Sequence, residues 1–275
     1  MSTQQATLDA LPPYRVCTHN ASEHSENRMH SDEVARQFGF KGALVPGVTV
    51  FAHMTRPLVE RYGESWLGKG IAEVSFAKPA YEGDLLTVRT RTDEAGSAYE
   101  LTCTNEEGVE LARMSSHIPQ SSPAVDPRSD TPPAPPIEAR PIVTWELMEV
   151  GKPFPALAWS PTAADNRQWC ADVRDDLSIY TSGDTPCLHP GFVLRQANYV
   201  LRNRFTLPAW IHTGSRMVFH HVLRVGPAYE IRAIPEEKWQ RKGHELVRLY
   251  VAIRAGNKTM AEVMHSAIFN PRKAG

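Results

Sequence analysis

One motif occurs twice in this chain. Glu26-Asn27-Arg28-Met29-His30-Ser31-Asp32-Glu33-Val34 returns as Asp165-Asn166-Arg167-Gln168-Trp169-Cys170-Ala171-Asp172-Val173. Val45-Pro46-Gly47-Val48-Thr49-Val50-Phe51 returns as His189-Pro190-Gly191-Phe192-Val193-Leu194. Val74-Ser75-Phe76 leads to Gly83-Asp84, and Met217-Val218-Phe219 leads to Gly226-Pro227. Signals repeated in the same order imply one folding unit, duplicated, and such a repeat limits the fold more than any single motif. The symmetry breaks at one point. His30 in the first copy corresponds to Trp169 in the second. A titratable group in only one copy predicts one active site per chain.

A chain of 275 residues has room for two units of ordinary size. Residues 119–141 run from Pro119-Gln120-Ser121-Ser122-Pro123 through Pro132-Pro133-Ala134-Pro135-Pro136 to Pro141. This reads as an extended linker with little capacity to build a core. It divides the chain into a unit at 1–118, the linker at 119–141 and a unit at 142–275.

The periodicity then suggests elements. Ser31 is placed to cap a short helix that runs to about Phe38 and ends at Gly39. Pro46 suits a first helical position. After it Val48, Phe51, Met54, Thr55, Leu58, Val59 and Tyr62 recur at helical spacing, predicting one buried stripe that Gly63 closes. Strands are expected near 71–78, 84–93, 97–104 and 109–117, with turns at Glu94-Ala95-Gly96 and Asn105-Glu106-Glu107-Gly108. The second unit repeats the plan. A helix is expected from Pro190 to about Phe205, then strands near 211–223, 227–236, 244–254 and 259–269, with a turn at Ala255-Gly256-Asn257-Lys258. The fold class is therefore α+β. Two antiparallel sheets that each cover a helix, paired through their edge strands, would make the chain an internal pseudo-dimer.

Charge and cysteine usage narrow the function. Lys+Arg 30 against Asp+Glu 31 leaves no electrostatic footprint for nucleic acid or an anionic membrane. Cys17, Cys103, Cys170 and Cys187 are scattered, which suggests a reduced, cytoplasmic protein without a disulfide framework or zinc site. No signal peptide is read in Met1 to Tyr14, and no apolar run approaches the roughly 20 residues of a membrane span.

The residues resemble the hotdog fold, and specifically the MaoC-like family of R-specific enoyl-thioester hydratases and dehydratases. Asn27-Arg28-Met29-His30-Ser31-Asp32 resembles the family's N-P-[IL]-H-x-D, and Ala35 through Phe38-Gly39-Phe40 its A-x-x-x-G-F. Leu44-Val45-Pro46-Gly47 resembles its I-x-H-G at the start of the central helix. Phe76-Ala77-Lys78-Pro79, with Gly83-Asp84-x-Leu86-x-Val88, resembles its strand-turn-strand signature. These cover most of residues 14–118, and the second unit matches through Pro190-Gly191 and the strand pattern. The resemblance implies a double hotdog. There are three departures. The family's catalytic aspartate, five residues before the histidine, is Ser25 here; its histidine before the helix-start glycine is Pro46; and its proline after the asparagine is Arg28.

The family's reaction is syn addition of water across an enoyl thioester, or its reverse, in fatty acid or polyketide metabolism. His30 is the expected base. Gly47 is the expected donor to the thioester oxygen from a helix start. Glu26, one residue from the aspartate's place, is the candidate replacement carboxylate, with Glu23 and His24 behind it. Asn27, Ser25, Pro46 and Val48 are expected to border the substrate. Asn27 also has a purely structural reading, because Asn166-Arg167 persists without the histidine. Trp169 reads as packing in a vestigial site. His212, His220 and His221 lack metal-ligand spacing, so no metal is expected, and no cofactor. Arg216, Arg224 and Lys78 read as solvated charges, with coenzyme A phosphates as their functional alternative. The expected partner is an acyl-CoA or acyl-carrier-protein thioester, and the resemblance admits a homodimer. The leading reading is a hydro-lyase. Two rivals stand beside it: a catalytically silent acyl-thioester binder, and a remodelled isomerase, cyclase or thioesterase.

Overall fold

The computed structural model describes residues 11–23, 25–93 and 98–273. The expected turn at Glu94-Ala95-Gly96 and the candidate His24 lie outside those residues. Among the described residues ten strands form one sheet. Along the chain they are β1 (Leu11–Cys17), β2 (Ile71–Phe76), β3 (Leu85–Thr92), β4 (Ala98–Thr104), β5 (Glu110–His117), β6 (Leu157–Trp159), β7 (Ile211–Phe219), β8 (Tyr229–Arg241), β9 (His244–Ala255) and β10 (Lys258–Asn270). Their order across the sheet is β1-β3-β4-β5-β2-β7-β10-β9-β8-β6. Each half of that order has the same plan, read outward from the centre. The halves join where β2 meets β7 antiparallel, with Ala72 opposite Met217 and Val74 opposite Ser215. At this seam Gly214 is required by close approach, since a Cβ there would lie 2.8 Å from the Val74 carbonyl oxygen. The edge strands β1 and β6 were not foreseen. They are short or proline-bearing and lack clean alternation.

Two long helices fill the interior, α2 (Gly47–Tyr62) and α5 (Pro190–Arg204), beside the shorter α1 (Asp32–Gln37), α3 (Glu64–Lys69) and α4 (Ala163–Asp172). Pro46 precedes the first helical residue of α2 rather than occupying it. Its ψ of 137° is extended, and its carbonyl accepts the Thr49 N–H (2.9 Å). Gly63, at φ 52°, ends the helix in a conformation that favours glycine. The single buried stripe expected of α2 is a correction. Every residue from Val48 to Thr55 is buried, because the sheet wraps one side of the helix and α5 packs on another. The helices cross tightly. A Cβ on Gly191 would lie 2.9 Å from Ala52 Cβ and 3.0 Å from the Val48 carbonyl oxygen.

Ser31 precedes α1, but its hydroxyl donates to the Arg28 carbonyl (2.9 Å) instead of capping the helix. Asp32 does more for this loop: its Oδ1 accepts the Ala43 N–H (2.8 Å) and ties the two motif segments together. Between the repeats, the proline-rich segment is fastened to the second half. Asp126 N–H donates to Glu262 (3.0 Å), and Arg254 donates to the Ser129 carbonyl (2.8 Å). Among the described residues no helix is long and apolar enough to cross a membrane.

Candidate active site

The first motif forms one wall of a cavity of about 250 Å³. Asn27, His30, Leu44, Pro46 and Gly47 line it from one half, and Asn198, Trp210, His212 and His244 from the other. Its remaining surface is largely apolar, with Met29, Phe40, Val50, Phe76, Ile211 and Ile268. A broader depression of about 870 Å³ shares Phe76, Ala77, Thr213, His244 and Ile268 with it, and carries Arg216, Arg241, Lys242 and Arg248.

His30 is held from both sides of its ring. Nδ1–H donates to the Leu44 carbonyl (2.7 Å), which leaves Nε2 as the acceptor nitrogen, 3.2 Å from Asn27 Nδ2. Burial holds this imidazole below its ordinary pKa, against the opposing pull of the Leu44 carbonyl. A neutral ring with a defined tautomer is a competent base at neutral pH.

Asn27 joins the two halves. Its Nδ2 donates to the Trp210 carbonyl (2.9 Å) and to His30 Nε2, while its Oδ1 accepts the N–H groups of Met29 and Trp210, each at 3.2 Å. All four of its hydrogen-bonding positions are used, so it positions His30 and locks the seam at once. Asn166 is also buried and engaged, but within its own half, donating to the carbonyls of Tyr180 (2.8 Å) and Cys187 (2.9 Å).

Gly47 opens α2 on the cavity. The N–H groups at a helix start lack the usual partner four residues back; that of Thr49 turns to the Pro46 carbonyl, and no side chain caps this end. They give the cavity wall a positive edge. Three other expected residues are placed elsewhere. Glu26 is not on the cavity wall; its carboxylate is paired with Arg140 (2.8 Å) and approached by Arg202 (3.8 Å). Ser25 is also off the wall, its hydroxyl donating to the Asn27 carbonyl (3.4 Å). Val48 is buried behind Gly47 without lining the cavity. Among the described residues no Asp or Glu lines it.

The sequence reading gave His212 no role, yet it lines the cavity. Its Nε2 is 2.8 Å from Ser215 Oγ, which is 3.0 Å from His265 Nδ1, and all three side chains are buried. Strict alternation would put residues 212 and 215 on opposite faces of β7. The pairing with β10 shifts between Ser266–Gly214 and Ala267–His212, so Thr213 is an extra residue on β7. That bulge brings His212 and Ser215 to one face. Of the other histidines, β7 ends before His220, which is paired with Glu262 (2.7 Å).

The second copy is closed. Trp169 stacks on Phe192 at 5.8 Å, with the Arg195 guanidinium over its ring. A Cβ on Gly191 would lie 3.0 Å from Trp169 Cζ2. The helix-start donor is occupied too, since Gly191 N–H donates to His189 Nδ1 (3.0 Å).

No protein-family model matches this chain, and no curated protein matches it by sequence. Solved structures do match along nearly its whole length. One is a putative MaoC domain dehydratase from Chloroflexus aurantiacus, with 11% identity, a TM-score of 0.66, and coverage of 98% of this chain and 96% of that one. A conserved hypothetical protein from Mycobacterium tuberculosis, described as having a double hotdog fold, matches with 15% identity, a TM-score of 0.64, and coverage of 98% and 96%. A putative oleoyl thioesterase from Lactobacillus plantarum matches with 10% identity, a TM-score of 0.52, and coverage of 96% and 98%. At such identities the likeness speaks for architecture, and the architecture agrees with the ten-stranded sheet and its two central helices: the chain has the double hotdog fold.

Proposed function

We propose that the chain is a hydro-lyase acting on acyl thioesters, with one site per chain, on cytoplasmic CoA or carrier-protein substrates. One observation carries this reading. His30, with Nε2 as its acceptor nitrogen, and Gly47, at a helix start without a side-chain cap, line the same largely apolar cavity. The MaoC-domain neighbour supports it by fold.

The chemistry follows from those groups. For reaction the Asn27 Nδ2–His30 Nε2 hydrogen bond must open, and a water then donates to His30 Nε2 in place of Asn27. His30 takes its proton as the water oxygen bonds to the β-carbon of the enoyl thioester. The electron pair of the double bond moves to the thioester oxygen, where Gly47 N–H and the helix dipole stabilise the enolate. His30 then returns the proton to the α-carbon, and atoms and charge balance with one histidine. A missing carboxylate therefore removes assistance without breaking the cycle. The depression beside the cavity, where Arg216, Arg241, Lys242 and Arg248 outnumber Glu73 and Glu236, suits the polar tail of the thioester.

A second reading is a catalytically silent acyl-thioester binder, and the absence of a lining carboxylate among the described residues favours it. The thioesterase neighbour keeps a remodelled hydrolase alongside. Loss of enoyl absorbance with short and medium trans-2-enoyl-CoA separates them. The proposal expects turnover that depends on His30. Tight binding without hydration would select the silent binder, and release of free thiol would select the hydrolase.

A further inference from the structure

His212 has a feature that the proposed reaction does not use. Its Nδ1 is buried with no hydrogen-bond partner, while the rest of the ring is firmly held. Nε2 is bound by Ser215, one ring face packs on His265 at 4.4 Å, and Phe76 meets the ring edge-to-face at 4.7 Å. A buried polar atom left unpaired in so fixed a ring calls for an explanation. Its location supplies one. A Cβ on Gly47 would lie 3.0 Å from His212 Nδ1, so this nitrogen abuts the start of α2.

The hydrogen-bond chain assigns the tautomer. Ser215 has one hydroxyl proton and stands between two ring nitrogens. It donates to one and accepts from the other. If it donates to His265, an N–H is stranded on His265 Nε2, in the core and without a partner. If it donates to His212, the N–H without a protein partner is His212 Nδ1–H, on a residue that lines the cavity where a substrate oxygen can accept it, and His265 Nε2 keeps only a lone pair. Orphaned buried N–H groups are the rarer defect. Burial favours the neutral form of both rings, pushing His265 down to about 3 and His212 well below its ordinary value.

Resting on the acyl-thioester reading, we infer that His212 Nδ1–H is the second donor of the oxyanion site that Gly47 N–H begins. Ser215 and His265 are positioning residues that fix its tautomer. A neutral imidazole N–H beside a helix start stabilises a developing enolate without itself changing charge. The second donor also comes from the other half of the chain, so the site is completed only across the β2–β7 seam.

The test uses the full chain and butyryl-CoA carrying a 13C-labelled carbonyl, a saturated thioester that cannot be hydrated. Its infrared carbonyl stretch should move to lower frequency on binding to the wild type. His212→Phe should bind it within about tenfold of wild type yet show a smaller shift. With an enoyl-CoA, the same variant should lose roughly 10²–10³-fold in kcat with little change in KM, the scale of one oxyanion donor. Ser215→Ala keeps the ring but frees the tautomer, and should give an intermediate shift even if His212→Phe does not fold. An undiminished shift in either variant overturns the assignment alone. Failure of the wild type to bind butyryl-CoA overturns the acyl-thioester reading and this assignment with it.

Discussion

Gly191 N–H is held by His189 Nδ1 at 3.0 Å, whereas its counterpart Gly47 N–H has Val45 at the matching position and no side-chain cap. The two copies of one helix start thus differ in whether their strongest donor is available. In the second copy the donor is spent internally, and Trp169 covers the space beside it. In the first, Gly47 and His30 line one cavity. Duplication followed by closure of one copy accounts for both halves of this asymmetry.

His30→Ala should reduce hydration of an enoyl-CoA by about two to four powers of ten, the usual worth of a general base. Stability should fall by about 1–3 kcal/mol, because the Leu44 carbonyl and Asn27 Nδ2 each lose a partner. Parallel turnover and urea-unfolding measurements check both numbers. Full turnover in a folded variant removes His30 from the mechanism.

Glu26→Gln should leave turnover within about twofold of wild type. Its carboxylate is already engaged by Arg140 and Arg202, off the cavity wall, and a partly exposed pair of this kind is worth under about 1 kcal/mol. A loss of two powers of ten in kcat would show that the loop rearranges to bring Glu26 onto the substrate.

Trp169→Ala should cost about 3–5 kcal/mol and leave kcat unchanged once the fold is populated. The ring is buried and stacked on Phe192, and the first-copy cavity does not include it. A stability change under about 1 kcal/mol would contradict its packing role.

Acid should destabilise the fold from near pH 6.5 downward. His53 and His265 are both pushed down to about 3 by burial, His53 also by the neighbouring His189. Their folded pKa lies below the unfolded value, so between 6.5 and 3 the unfolded chain binds more protons and stability rises with pH. Each such histidine contributes a slope of up to about 1.4 kcal/mol per pH unit in that window. Urea denaturation at pH 7.5, 6.5 and 5.5 should show this slope, and His265→Phe should flatten it. Equal stability at all three pH values refutes the burial of these rings as neutral groups.

Much of the fold was legible because its signals are local and repeated. Gly63 and Gly256 end elements through backbone conformations that favour glycine, and the period change after Gly70 marks the sheet. Pairing of the two sheets through edge strands was expected from the duplication, and the structure identifies the strands as β2 and β7. His30, Gly47 and Asn27 were legible from the motif, and the structure brings them to one cavity. Glu26 was misplaced because a one-residue offset redirects a side chain, and two distant arginines captured it. His212 was invisible for a different reason. Its orientation depends on an extra residue at Thr213, and a bulge leaves no mark in an alternation pattern.

The two helix-start glycines offer the sharpest comparison, because the same substitution should act on different properties. In Gly47→Ala the new methyl would meet only side chains, His212 Nδ1 at 3.0 Å and Phe76 Cε2 at 3.2 Å. These can yield by a few tenths of an ångström, and alanine in a helix is intrinsically better than glycine by up to about 1 kcal/mol. Stability should therefore change little. The yielding groups are the cavity wall itself, however, and His212 and the oxyanion position move apart as they yield. Turnover should drop by at least tenfold. In Gly191→Ala the methyl would meet Ala52 Cβ at 2.9 Å and the Val48 carbonyl oxygen at 3.0 Å, on a neighbouring helix that is buried on all sides. The helices must separate, and overpacking of this kind costs about 1–3 kcal/mol. A thermal melt and an enoyl-CoA assay on both variants decide the matter. If Gly47→Ala loses stability while keeping its turnover, the helix start is only a packing element and the active site lies elsewhere.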